Sequence, residues 1–307
     1  MFSKVLTATD LLEACDAVVL TALEIAKQNE AQLFIIHVLE SKYSGRHRQF
    51  VVDFETGEET VATTEYIQKV KDTLDKKCGG ALKPYGKYEI RVRAGFPWME
   101  ILRWARQKNV DLIVMGPHAG KAEEKGVART TNKIGSTLEA VIMRAHCPVM
   151  VVNQFIPKER LNFKKVMVCM DFSKTCEHAF KFGVKLAQKY QSELHVFHML
   201  PVPHGYYTQM ELENAMAEKK KKLQTMCQET AQGFTCKTKV TVWEGNMPYI
   251  EILKYARENA IDLIIMGSHT KEKDNKWYIG SAVEQVSLRA ASPVMVVTHP
   301  KAVVKFE

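Results

Sequence analysis

The chain has 307 residues, 46% hydrophobic and 25% charged, with a formal net charge of +8 at pH 7. That profile belongs to globular proteins and excludes a disordered or collagen-like chain. No apolar run approaches the roughly 20 residues needed to span a bilayer. Seven cysteines, odd in number and without a Cys-x-x-Cys pair, read as buried, reduced thiols of a cytoplasmic protein rather than as disulfides or metal ligands.

Taken in chain order, Lys4–Thr9 reads as a strand. Leu12–Asn29 follows, with Ala17, Leu20, Ala22, Leu23 and Ala26 at helical spacing. Its acidic start (Asp10, Glu13, Asp16) is unlike the basic start of a secretory leader, so it is read as the first helix of the fold. Gln32–Val38 is the next strand, then a helix at Glu65–Cys78, a strand at Tyr88–Arg93 and a helix at Met99–Lys108. Leu112–Met115, Ser136–Arg144 and Val149–Val152 complete a strand, helix and strand. The same alternation returns with strands at Lys165–Met170, Glu193–His198, Lys239–Trp243, Leu263–Met266 and Val294–Val297. Strands apolar on both faces, alternating with helices, predict α/β architecture: two doubly wound domains, each a five-stranded parallel sheet flanked by helices.

The alternation returns because the sequence repeats. DLIVMG at 111–116 matches DLIIMG at 262–267, and GSTLEAVIMRAHCPVMVV from Gly135 matches GSAVEQVSLRAASPVMVV from Gly280. KVLTATD, ending at Asp10, corresponds to KVMVCMD, ending at Asp171. The repeat predicts domains at 1–153 and 163–307, the first carrying insertions near 42–62 and 120–133. Phe50–Phe54 and Glu58–Val61, around Thr56-Gly57, have the pattern of a hairpin within the first insertion.

In doubly wound sheets ligands sit beyond the carboxyl ends of the strands, where the strand order reverses. Asp10, Val38, Gly95 and Gly116 fall there in one half, and Asp171, Met199, Gly245 and Gly267 in the other. Each half then places Gly-Ser at a helix start, where free backbone N–H groups and the helix dipole attract an anion such as phosphate. The same pair can equally serve as a plain N-cap.

Over nearly its whole length the chain resembles a tandem universal stress protein. The resemblance rests on the Asp closing the first strand, DLIVMG and DLIIMG, Gly95-Phe96-Pro97 with Gly245 and Pro248, and the closing CPVMVV and SPVMVV strands. It implies a fold related to the adenine-nucleotide α-hydrolases. Nucleotide-binding members of the family carry G-x-x-G, nine residues, then G-[S/T]. Here the second half keeps that register with Thr270 in place of the second glycine, before Gly280-Ser281. The first half has Ala119 there, Gly120 one step late, a longer loop and Pro117 after Gly116. What the resemblance implies is a site for ATP or AMP, with or without Mg, foremost in the second half. Asp171 would contact the adenosine end, the backbone at Met199 would flank adenine, and Gly267, His269, Gly280 and Ser281 would hold phosphates. The matching first-half residues are Asp10, Val38, Gly116, His118, Gly135 and Ser136.

No catalytic triad, metal pair or GKS-type phosphate loop is present in the sequence, so slow incidental ATP hydrolysis is the most the chain would catalyse. His37 and His198 read as satisfied core-edge groups, and Trp98, Trp104, Trp243 and Trp277 as packing or loop anchors. The run Lys219 to Lys222 reads as a solvated helix face, with no nucleic-acid or membrane partner implied. Two functions follow: a cytoplasmic stress-response protein that senses adenine nucleotide through conformation or an unknown protein partner, or a protein-interaction scaffold with both sites degenerate. By resemblance, the two PVMVV strands would pair as an intramolecular pseudo-dimer, with a further homodimer open.

Overall fold

The computed structural model of the chain describes residues 1–11, 13–41, 50–53, 56–117, 133–202, 208–230, 236–268, 271–273 and 276–298. His118, Ala119, Gly120, His269 and Thr270 lie outside these. Contacts divide the chain into two compact units, Phe2–Lys158 and Glu159–Glu307.

The first unit runs β1 (Lys4–Thr9), α1 (Glu13–Asn29), β2 (Gln32–Glu40), β3 (Phe50–Val52), β4 (Glu59–Val61), α2 (Thr64–Leu82), β5 (Tyr88–Gly95), α3 (Pro97–Lys108), β6 (Leu112–Met115), α4 (Ser136–Arg144) and β7 (Val149–Val151). Its sheet has the order β7-β6-β1-β2-β5, with every pair parallel. The order reverses between β1 and β6, which is the switch point. Val5, Leu6 and Thr7 are buried in succession on β1. Since successive side chains point to opposite faces, the sheet is covered on both sides.

The second unit begins with a short 3-10 turn (Arg160–Asn162) and repeats the plan. It runs β8 (Lys165–Met170), α5 (Lys174–Tyr190), β9 (Glu193–Pro201), α6 (Gln209–Thr230), β10 (Thr238–Gly245), α7 (Pro248–Glu258), β11 (Leu263–Gly267), β12 (Lys271–Lys273), β13 (Lys276–Tyr278), α8 (Ser281–Arg289) and β14 (Val294–Val297). The sheet order is β14-β11-β8-β9-β10, again parallel throughout, with the switch point between β8 and β11.

Local chemistry explains these boundaries. Thr63 caps α2 through its hydroxyl, which accepts from Tyr66 N at 3.1 Å, and Ser173 does the same for α5 with Cys176 N at 3.3 Å. Proline at the first turn starts α3 and α7, where its missing N–H costs nothing. The aspartate of each DLI segment is structural. Asp111 accepts from Ser3 N and Lys4 N at 2.8 and 3.0 Å, and Asp262 from Lys165 N at 3.0 Å. Each carboxylate thereby fixes the start of the strand next to its own.

The first insertion forms the expected hairpin, β3 pairing antiparallel with β4 and Gly57 taking φ +75° at the turn. The sequence reading missed a second hairpin, β12 with β13, which lies between Gly267 and Gly280. Six cysteines are described, none of them in a disulfide. Four are buried as expected, but Cys227 and Cys236 are half-buried.

Candidate functional site

At the switch point of the second unit, β8 ends at Met170 and Asp171 leads into the turn to α5. Asp171 is exposed, and its Oδ1 accepts from Ser173 N at 2.9 Å. The next residue, Phe172, has φ +63°, and its counterpart Leu11 after Asp10 has φ +67°. A bulky side chain in the left-handed region costs about 1–3 kcal/mol and persists only where the surroundings impose it. Here they do so in both units. His37 Nδ1 meets Thr9 O at 2.8 Å, and His198 Nδ1 meets Met170 O at 2.8 Å, each bracing the strand end before the acid. A lysine of the second helix secures the turn from above. Lys77 donates to Leu11 O at 2.7 Å, and Lys222 stands 4.3 Å from the centre of the Phe172 ring, with Lys219 at 5.9 Å. His198 also packs against Phe172, with ring centroids 4.8 Å apart. Part of the basic run on α6 therefore packs at this turn rather than facing only solvent.

A cavity of about 400 Å³ opens here, lined by Asp171, Met199, Gly267, Gly280 and Ser281 together with Met170 and Ile279. Five of the six second-half residues predicted for the site thus share one cavity, the sixth being His269, outside the described residues. Its further lining was not anticipated: Cys169, Cys176, Phe197, Pro248, Ile252 and the first turn of α8, including Glu284. Burial raises the Cys169 thiol well above its usual value and pushes Cys176 up to about 12, with the charge of Asp171 adding to both. Both remain protonated at neutral pH and serve as apolar wall rather than as nucleophiles.

The Gly-Ser pair is placed differently from a plain side-chain cap. Gly280 is the N-cap residue of α8 and Ser281 the first helical residue, with no side-chain cap on the helix. Glu284 N bonds to Gly280 O at 3.0 Å, so the earlier N–H groups of the first turn have no partner within the helix. Residues 280–283 line the cavity. The positive end of the helix therefore abuts a half-open cavity, an arrangement suited to an anion. Gly267 has another duty: a Cβ there would lie 2.6 Å from the backbone of Thr175 and Cys176. Glycine is needed so that β11 can end against the first turn of α5. The short β12–β13 ladder occupies the loop between Gly267 and Gly280.

In the first unit Asp10 and Gly116 directly follow β1 and β6, Val38 lies on β2, and Gly135 and Ser136 open α4. One donor is already used: Gly135 N bonds to Pro117 O at 2.8 Å, drawing the two ends of the remodelled loop together.

His37, His198 and His195, the last bonded through Nδ1 to Tyr255 Oη at 2.9 Å, are buried. Burial lowers the pKa of all three. The unfolded chain therefore takes up protons below about pH 6.5 that the fold resists. Stability is expected to be full above that pH and to fall beneath it, by up to ~1.4 kcal/mol per pH unit for each histidine. Urea midpoints at about pH 7.5 and 5.5 measure this, and equal midpoints would mean the imidazoles charge freely inside the fold.

The profile of the universal stress protein family matches residues 1–153 and again 162–298. Two universal stress proteins of Methanocaldococcus jannaschii are similar to parts of the chain. One is 30% identical over 156 residues, covering 50% of this chain and 84% of the relative. The other is 32% identical over 157 residues, covering 44% and 94%. The structure of a universal stress protein from Archaeoglobus fulgidus matches 96% of this chain and 98% of its own length with TM-score 0.60 at 20% identity. A functionally unknown protein from Pseudomonas aeruginosa matches 99% and 95% with TM-score 0.61 at 15% identity. At those identities the two structures speak for the fold alone. With both halves matched in turn, the chain belongs to the universal stress protein family as a tandem two-domain member.

Proposed function

We propose that this stress-response protein binds an adenine nucleotide, ATP or AMP, in its second unit, and acts through conformation or a protein partner rather than through turnover. The observation that carries the reading is the cavity between Asp171 and the uncapped N-terminus of α8, walled by apolar side chains. An apolar cleft with a few convergent polar groups suits a base and sugar, and the helix end suits their phosphates. The backbone at Met199 would flank adenine, Asp171 would meet the adenosine end, and Gly280 and Ser281 would face phosphate. Gly267 would contribute backbone only, with His269 completing the set. In the first unit, Asp10, Val38, Gly116, His118, Gly135 and Ser136 form the corresponding set, weakened where Gly135 N is bonded to Pro117 O. Cavity thiols held protonated give no support to nucleophilic chemistry.

The competing reading, a scaffold that binds no nucleotide, draws on the β12–β13 hairpin in the phosphate loop. Thermal unfolding of nucleotide-stripped protein titrated with Mg-ATP decides between them. At 100 times the dissociation constant, binding should add about 2.7 kcal/mol and raise the midpoint by roughly 5–10 °C. Gly280→Leu should remove the shift, and Asp171→Asn should reduce it. No shift at millimolar ATP would leave the scaffold reading in possession.

A further inference from the structure

A second cavity, of about 990 Å³, lies in the second unit where α5 ends and β9 and β10 begin, at the opposite end of the strands from the site above. Ser192 lines it, is 2% exposed, and its hydroxyl has no hydrogen-bond partner. A buried hydroxyl without a partner is uncommon and costs free energy until a guest or a water completes it. Tyr190 gives the cavity an aromatic wall, its ring edge-on to buried Phe163 with centroids 5.2 Å apart. The exposed Lys164 and Lys237 also line it, Lys237 reaching Glu193 at 3.0 Å.

The first unit shows what such a place holds. Backbone bonds fix the correspondence of positions. Ala31 N to Ala26 O, Gln32 N to Ser3 O and Leu33 N to Lys87 O are each 2.9 Å. Ser192 N to Ala187 O, Glu193 N to Lys164 O and Leu194 N to Lys237 O are each 2.8 Å. In the first unit Tyr85, two residues before Lys87, donates its hydroxyl to Ala26 O at 3.0 Å and to Ala31 O. In the second unit the residue two before Lys237 is Thr235, and the segment 231–237 contains no tyrosine. Ala187 and Ser192, the counterparts of the two residues whose carbonyls hold that phenol, both line the cavity. Ser192 adds a hydroxyl where the first unit has Ala31, and Tyr190 adds a ring where it has Asn29.

We propose that this cavity is a binding site for a small phenolic acid, whose ring takes the place that Tyr85 fills in the first unit. The phenol hydroxyl donates to the carbonyls of Ala187 and Ser192, as that of Tyr85 does to Ala26 and Ala31, and accepts from Ser192 Oγ. The ring packs against Tyr190, in the offset or edge-on manner aromatic pairs prefer. Lys164 and Lys237 draw the carboxylate, and Glu193 offsets one of these cations, so charge selects the guest less strongly than the hydroxyl does. No lining residue is shared with the cavity at Asp171, so the site is independent of nucleotide binding.

Ligand-observed NMR on the full chain, titrated with 4-hydroxyphenylacetate to ~10 mM, tests this. Saturable binding with a dissociation constant of about 0.1–1 mM is expected, the scale for a ligand of this size. Phenylacetate, which lacks only the hydroxyl, should bind about tenfold or more weakly. Ser192→Ala should weaken 4-hydroxyphenylacetate about threefold to tenfold. It should melt close to wild type, because the first unit carries alanine at the same buried position. Saturating Mg-ATP and the Gly280→Leu variant should both leave the affinity unchanged, which keeps the outcome separate from that of the nucleotide reading. No saturable binding at the highest concentration, equal affinity for phenylacetate, or a Ser192→Ala variant that binds like wild type would each overturn the proposal. So would displacement of the phenol by Mg-ATP, which would move it to the cavity at Asp171.

Discussion

Trp104→Ala is expected to lower the stability of the first unit by about 3–5 kcal/mol, the range for truncating a large aromatic in a close-packed core. Trp104 is 1% exposed, on the face of α3 that covers the sheet, and meets Phe34 of β2 edge-on with centroids 5.4 Å apart. Its removal opens a cavity among side chains already fixed by strand register, where little collapse is available. Urea unfolding followed by circular dichroism measures the loss, and a change under 1 kcal/mol would mean the site can close over the gap. Tyr255 fills the corresponding place in the second unit. It meets Phe197 at 4.8 Å, and its hydroxyl bonds His195 at 2.9 Å and Thr241 at 3.1 Å. The two copies thus fill one position in two ways, an apolar ring pair in one and a hydrogen-bonded ring cluster in the other.

Gly267→Val should cost about 3 kcal/mol, at the upper end for overpacking, and remove any nucleotide-dependent shift with it. A Cβ at this position would meet the backbone of α5, which cannot swing aside like the end of a flexible side chain. Accommodation requires α5 to retreat from β11, carrying Asp171 and the turn at Phe172 with it. The comparison is Gly280→Leu, at a position with ordinary φ −63°, which should melt within a few degrees of wild type. Equal melting points for the two variants would refute the packing argument for Gly267.

Strand positions were legible in the sequence because each is a short apolar run between turn signals. Lys4–Thr9, Leu112–Met115, Lys165–Met170 and Val294–Val297 fall within their expected limits. Strands leading to a crevice ran longer than expected, as at Glu193–Pro201, because pairing with β10 continues past His198 through Met199 and Leu200 to Pro201. The β12–β13 hairpin escaped because KEK and KWY show no apolar alternation, and its pairing rests on backbone groups that composition does not display. At the candidate site, the lone acid and the glycines marked the crevice, since they interrupt apolar strands at their ends. Phe172 and Leu11 gave no such signal, because a left-handed bulky residue is imposed by neighbours, here an imidazole and a lysine far away in sequence. The role of Gly267 was hidden for the same reason: what excludes a side chain there is a helix that begins more than ninety residues earlier.

The short bond from Gly135 N to Pro117 O has a consequence for dose and response. On the proposed reading it weakens the first unit's anion site, so that the second unit's site dominates the response where a duplicated domain could have offered two equal ones. A single site fills hyperbolically, and passing from one-tenth to nine-tenths occupancy takes a roughly 80-fold change in ligand, since cooperativity requires at least two coupled sites. Such a protein registers slow drifts in nucleotide level as a graded signal and cannot behave as a threshold switch on its own.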